Sequence, residues 1–232
     1  MSKPFVSILT PTRDRRDFLP ELFRAVRRQD YPQDRLEVVV VDDGRDRVED
    51  MMPDDLHVIY EHLGQRVPLG RKRNRLVERS QGEFLVHFDD DDWHPADRVS
   101  RSVQALLDTP DACVAGRSDM VFWELATGNL HQLPVIGPKH VTAGSMTYRR
   151  SWWSAHRFAA VPHTEERQFL DNFEAPVLQL DGPAWRTVVA ISHGGNILPK
   201  NTHMPLAAVG LEEAIPDPQS RAFFLERLEE AW

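Results

Sequence analysis

The chain has 232 residues, 41% of them apolar and 28% charged, which places it among ordinary soluble globular proteins with room for one large domain or two small ones. Its one cysteine, Cys113, rules out an internal disulfide, and the absence of a charged-then-apolar leader or a bilayer-length apolar run argues against secretion and membrane insertion, so a cytoplasmic protein without transmembrane segments is expected. The net charge of −8 is uneven: residues 1–79 hold 16 Lys and Arg against 15 Asp and Glu, and the remainder carries −9, which argues against a nucleic-acid surface there.

Phe5 to Leu9 is an apolar strand that enters a turn at Thr10-Pro11-Thr12. Phe18, Leu19, Leu22, Phe23 and Val26 follow helical spacing, with Asp17 as N-cap. Leu36 to Val41 is almost wholly apolar and β-branched, as in a parallel strand covered on both faces, and ends in Asp42-Asp43-Gly44. His57 to Tyr60 reads as a third strand, and Gly70 to Ser80 as a helix that opens on Arg71, Lys72, Arg73 and Arg75. Phe84 to Phe88 is a buried strand followed at once by Asp89 to Asp92 and Trp93-His94-Pro95. This order is a doubly wound α/β half whose strand ends gather on one edge.

A helix with Val99, Val103, Leu106 and Leu107 on one face comes next, then strands at Ala112 to Ala115 and Met120 to Glu124. Residues 127 to 142 read as loop, 144 to 148 as strand, and Thr164 as N-cap of a helix carrying Phe169, Leu170 and Phe173. Val188 to Ile191 is a last strand before His193-Gly194-Gly195-Asn196; a tether at 201 to 219 leads to a helix with Phe224, Leu225, Leu228 and Trp232 on one face, which packs on its own domain or on a second subunit of a homodimer. A single domain over 1–232 is expected, with a first lobe to residue 95 and a second from 96 onward.

Four adjacent carboxylates repel one another unless they share a cation. Hard divalent ions such as Mg²⁺ and Mn²⁺ take one or two carboxylates plus substrate phosphates, and open α/β sheets bind ligands at this edge. A calcium-binding helix-loop-helix is excluded, because counting from Asp89 its glycine and glutamate positions hold His94 and Ser100.

Val6 to Thr12, Val38 to Gly44, Arg73-Asn74, Gly82 to Pro95 and Thr164 to Leu170 together resemble family 2 glycosyltransferases with the GT-A fold, over roughly residues 4 to 175. The resemblance implies a mixed, mostly parallel sheet flanked by helices, with a donor (nucleotide-binding) lobe and an acceptor lobe. It also implies a metal-dependent, inverting transfer of a sugar from a nucleotide-diphosphate donor, with a UDP-sugar as first candidate, to a hydroxyl acceptor. Thr10, Pro11, Thr12, Asp42, Asp43, Arg73, Asn74, Asp89 and Asp90 would hold the donor, and Asp89 and Asp91 match the DxD positions for Mn²⁺ or Mg²⁺, Asp91 being the better direct ligand. His193 is a further candidate for metal or diphosphate.

The family's base is usually the Asp of a Glu-Asp pair. Here Glu165-Glu166 departs from that pattern, and helical spacing turns Glu166 toward Phe169, Leu170 and Phe173 and Glu165 away by about 100°. Trp93 would line a sugar or acceptor pocket, and Trp152 and Trp153 would stack on a sugar or fill core. Rival readings are a nucleotide-sugar-binding protein without turnover, and a glycosyltransferase acting on a modified nucleic-acid base, for which the arginines at 13–16 and 24–28 would serve.

Overall fold

The computed structural model describes residues 2–162, 164–193, 204–205 and 210–229. A seven-stranded sheet carries the chain's first half. Its strands are β1 (Val6–Thr12), β2 (Leu36–Asp42), β3 (Val58–His62), β4 (Phe84–His87), β5 (Val114–Gly116), β8 (Thr147–Arg149) and β9 (Val177–Gln179). They lie in the order β3-β2-β1-β4-β8-β5-β9. β1 to β4 are parallel, while β8 runs antiparallel to both β4 and β5. This is the mixed, mostly parallel α/β architecture the sequence implies, with strands from beyond residue 95 joining the same sheet.

Alternation along the strands assigns each apolar side chain to a layer. Val6, Ile8, Val38, Val40, Phe84 and Val86 pack against α1 (Leu19–Arg27) and α3 (Arg98–Asp108). Leu9, Val39, Val41 and Leu85 pack on the other face, against α2 (Leu69–Arg79), α4 (Arg150–Ala155) and α5 (Glu166–Phe169). A second sheet pairs β10 (Val189–Ser192), β6 (Met120–Glu124), β7 (Asn129–Leu133) and β11 (Met204–Pro205) in that order. Val121, Trp123, Leu130, Val189 and Ile191 on one of its faces meet Ala214 of α6 (Leu211–Ala214) and Phe224 of α7 (Pro218–Glu229).

Several expectations are corrected. Thr10-Pro11-Thr12 continues β1 rather than turning, because pairing with β2 runs on to Thr12 opposite Asp42. Asp17 does not cap α1, which opens at Leu19 with Pro20 in its first turn. The stretch 127–142 contains β7, and 201–219 contains α6 and the start of α7. On α7, Phe224 is buried against Trp123, with ring centroids 6.2 Å apart, whereas Leu225 faces solvent. Trp232, Gly194, Gly195 and Asn196 lie outside the described residues, as does the side chain of Leu228. Among the described residues no helix is long and apolar enough to cross a membrane.

One contact ties the first sheet's helix layer to the segment that carries Glu165 and Glu166. Gly70, in the first turn of α2, lies so close to the 159–161 turn and to Glu165 that a Cβ built on it would sit 1.7 Å from the Ala159 carbonyl oxygen and 2.9 Å from the Glu165 Cβ. Gly70→Ala is expected to cost roughly 1–3 kcal/mol through overpacking, read as a lower urea midpoint at unchanged slope. An unchanged midpoint would show that the turn yields freely.

Candidate functional site

The parallel strands end on one edge, and the site is built there. β1 pairs with β4 only as far as Leu9 opposite His87. Pro11 therefore falls where β4 has already diverged, so its missing N–H breaks no bond on that side. β4 stops at His87, and the acids follow in a tight turn in which the Asp92 N–H donates to the Asp89 carbonyl at 3.4 Å.

Every one of the four aspartates has a partner. Asp90 is buried and accepts from the Thr12 hydroxyl at 2.6 Å and from Arg15 Nη1 at 2.8 Å. The same Arg15 nitrogen lies 2.7 Å from Asp91 Oδ2. Asp92 accepts from the Ile191 N–H at 3.1 Å, and the half-buried Asp89 faces the Arg73 guanidinium at 3.4 Å. Burial pushes the Asp90 carboxyl up to about 6, with Arg15 pulling the other way. The charge that relieves this cluster thus includes two arginines.

His193 reaches Asp91 Oδ2 with Nε2 at 3.0 Å, and its ring stacks on Phe18 with centroids 4.8 Å apart. A carboxylate oxygen and an imidazole nitrogen so close together are a partial ligand set. Among the described residues no three or more His, Cys, Asp or Glu side chains form a cage.

Helix α2 contributes two cations. Leu69, Lys72, Arg73, Leu76 and Val77 share its inward stripe, at i, i+3, i+4, i+7 and i+8. Lys72 donates to the Thr12 carbonyl at 2.9 Å and to Asp43, whose other oxygen accepts from the Val67 N–H at 2.9 Å. Burial lowers the Lys72 pKa, and Asp43 opposes that shift. Arg73 is fully buried and donates through Nε to Glu165 at 2.8 Å. Nη1 lies 3.2 Å from His87 Nδ1. Burial pulls the Arg73 pKa down, but Asp89 and Glu165 outweigh it and hold it high. Burial, together with Arg73, keeps His87 neutral.

The acid pair sits differently from the helical-face expectation. Thr164 has φ 57° and is not the N-cap, which falls at Glu165; α5 is a single turn, and Asp171, Asn172 and Phe173 all have positive φ. Phe173 is therefore not on a continued helix, and the face argument fails. Glu165 is the buried member, held by Arg73, while Glu166 is half-buried; both line one cavity. Burial raises the Glu166 pKa; its own backbone N–H opposes this, Glu165 reinforces it, and Arg73 opposes it.

That cavity, of about 410 Å³, is lined on one wall by Pro11, Thr12, Arg15, Lys72, Arg73 and Asp89 to Asp92, and on another by Met120, Phe122, Leu133 and Ile136. Five expected members do not line it: His193 stands outside, against Asp91 and Phe18, and four more lie elsewhere. Thr10 lies deeper in β1, fully buried. Asp42 is spent on the turn, accepting from the Gly44 N–H at 2.7 Å and the Tyr60 hydroxyl at 2.9 Å. Asp43 stands behind the wall, through Lys72. Asn74 points away: its Nδ2 donates to the Phe158 carbonyl at 2.9 Å, and its Oδ1 accepts from Trp153 Nε1 and the Phe158 N–H.

Nor do Trp93, Trp152 and Trp153 line the cavity. Trp93 packs in the second sheet's core, Trp153 is core, and half-buried Trp152 donates to the Phe169 carbonyl. His94 stacks on Phe88 at 3.8 Å and is held neutral, its pKa lowered to about 3 by burial.

Sequence alone does not single out Arg15 or Lys72. The stripe through Leu69, Leu76 and Val77 is the signal that finds Lys72; nothing local marks Arg15 among its neighbours. Several arginines of the 13–16 and 24–28 clusters are ion-paired within the chain. Arg16 pairs with Asp46 and Asp50, Arg27 with Asp55, and Arg24 and Arg28 with Glu21 and Asp217.

Comparison with known proteins agrees with this geometry. The family model described as glycosyl transferase family 2 matches residues 7–175. A Bacillus subtilis (strain 168) protein, TuaG, named for a teichuronic acid biosynthesis glycosyltransferase, is 29% identical over 115 residues, 46% of this chain and 43% of that protein. The poly(ribitol-phosphate) beta-N-acetylglucosaminyltransferase TarS of Staphylococcus aureus is 30% identical over 99 residues, 38% of this chain and 16% of TarS. The chain thus matches less than half the length of these relatives.

The crystal structure of S. aureus TarS with UDP-GlcNAc superposes with a TM-score of 0.66 at 18% identity, over 82% of this chain and 59% of that one. The mannosyltransferase PcManGT of Pyrobaculum calidifontis, in complex with GDP-Man and Mn²⁺, gives 0.62 at 18%, over 88% and 59%. With the family model covering well over half the chain, and the mixed sheet in place to receive it, this chain belongs to glycosyl transferase family 2 and has the GT-A fold.

Proposed function

We propose that the chain transfers a glycosyl group from a nucleotide-diphosphate sugar, with UDP as the first nucleotide to test, to a hydroxyl acceptor, with inversion at the anomeric carbon. One observation carries the reading: the DxD aspartates and the Glu165-Glu166 pair line the same cavity. The donor lies against Pro11, Thr12 and Lys72, with Asp43 fixing Lys72 from behind and Asp90 fixing Thr12. Asp91 and His193, with Asp89 at the first DxD position, are the residues that would hold a divalent cation. When bound, it would neutralise charge on the leaving diphosphate. TarS, in its crystal structure with UDP-GlcNAc, and PcManGT, in complex with GDP-Man and Mn²⁺, are similar in fold.

Glu166 is the base. Its carboxylate takes the acceptor's hydroxyl proton as the acceptor oxygen bonds to the anomeric carbon. The bond from that carbon to the phosphate oxygen breaks, and the nucleoside diphosphate leaves with the electron pair. Glu165 is engaged by Arg73 and serves as a positioning residue. One in-line displacement with one base gives inversion.

Calorimetry with UDP, GDP and dTDP, in Mn²⁺ or in chelator, tests the donor site on wild type and Asp91→Ala. Tight UDP binding that requires Mn²⁺ and falls at least about 10-fold in Asp91→Ala is expected. Equal, metal-independent behaviour of both proteins with all three nucleotides would overturn it. Metal-dependent donor hydrolysis by the wild type separates an enzyme from a protein that only binds the donor.

A further inference from the structure

Among the described residues only one face of the second sheet carries helices; the other is polar at one end, where His131, Glu124, Asn129 and Ser192 lie, and apolar at the other. On β6, Val121 and Trp123 point into the core under α7, so Met120 and Phe122 alternate to the other face. Met120 pairs directly opposite Leu133, and Phe122 is flanked by Ala190 on β10. A sheet with one face on the core ordinarily turns polar residues outward on the other, as Glu124, Asn129 and His131 do at one end. Here Met120, Phe122, Leu133 and Ala190 instead form a wall of the cavity that holds the acids.

The wall extends onto the 134–138 turn. The buried Ser118 hydroxyl accepts from the Ile136 and Gly137 N–H groups, both at 3.0 Å. Gln179 Nε2 donates to the Pro138 and His140 carbonyls at 3.1 and 2.8 Å. Three polar contacts within 134–138 and one at His140 thus fix a segment whose Val135 and Ile136 side chains are 65% and 60% exposed. Ile136 lines the cavity mouth. The charged wall is adjacent: a Cβ built on Gly144 would lie 3.3 Å from Asp89 Oδ2 and 3.5 Å from Met120 Cε.

We infer that the acceptor is amphiphilic: a hydroxyl compound whose reacting group reaches Glu166 while a hydrocarbon portion lies along Met120, Phe122, Leu133 and Ile136. This rests on the glycosyltransferase reading and names the acceptor's class. A nucleotide and a metal account for the charged wall and leave the apolar one to the remaining substrate. A wholly polar acceptor would leave that wall to water. His140, which also lines the cavity, adds no charge to it, because burial lowers its pKa.

The probes are n-alkyl β-D-glucosides from methyl to heptyl, titrated calorimetrically into the full chain with and without saturating UDP and Mn²⁺. Kd is expected to fall by up to about fourfold per added methylene, and Ile136→Ser is expected to flatten the series; with Ile136 well exposed, that variant should fold. A Kd independent of chain length overturns the inference, as does an equal slope in Ile136→Ser. Competition by a UDP-sugar but not by UDP overturns it too, by assigning the wall to the donor sugar. UDP binding in the same titrations reports on the donor reading separately: tight UDP with a flat series removes only the acceptor class, and a steep series without UDP binding removes the glycosyltransferase reading.

Discussion

Glu166→Gln is expected to lower kcat by about 10²- to 10⁴-fold, the range for loss of a positioned general base, with the Kd for UDP essentially unchanged. The pH profile supplies a signature that a structural role would lack. The base must be ionised to accept the proton, so kcat/KM rises with pH through the Glu166 pKa, which burial sets above the usual glutamate range. That acidic limb should vanish in Glu166→Gln. Should the limb persist there and disappear in Glu165→Gln instead, the two acids exchange roles. Glu165 is the poorer candidate because a guanidinium already holds its carboxylate at 2.8 Å and little of it reaches solvent.

Arg73→Met is expected to destabilise the fold by about 3–5 kcal/mol, since it leaves Glu165 as an unpaired buried carboxylate. The effect belongs to the broken pair rather than to the pair's net worth. Arg73→Met combined with Glu165→Leu should therefore recover most of the stability in urea denaturation while remaining inactive. Failure of the double variant to recover would assign the loss to Asp89 and His87, the other groups facing Arg73. Arg73→Lys is not a neutral control, because one ammonium cannot reproduce the fork that meets Glu165, His87 and Asp89 together.

The residues that sequence places well are those whose surroundings are set by a short stretch of chain. Val38 to Val41 and Phe84 to Val86 are apolar on both faces because helices cover both, and a continuous run marks that condition. Asp89 to Asp92 are adjacent in sequence, so one strand end delivers all four. Strand β7 is hard to read because Asn129–Leu133 contains only two apolar residues, in a sheet that closes by tertiary pairing. Asn74 misleads because it adjoins Arg73, yet one residue along a helix turns the side chain about 100°, onto the Phe158 backbone instead of the cavity. The helical-face argument for Glu166 breaks down where Thr164 and Asp171 to Phe173 take positive φ, a property that non-glycine residues do not announce.

Gly70, pressed against Ala159, also limits how such a chain can diverge. The helix that presents Lys72 and Arg73 and the turn that presents Glu165 and Glu166 meet backbone to backbone, without a side chain between them. Drift in the spacing of cationic and acidic groups is therefore blocked at one residue. Among homologous sequences, position 70 is expected to change only together with the 159–161 turn, and a survey of paired substitutions at those sites would read that dependence directly.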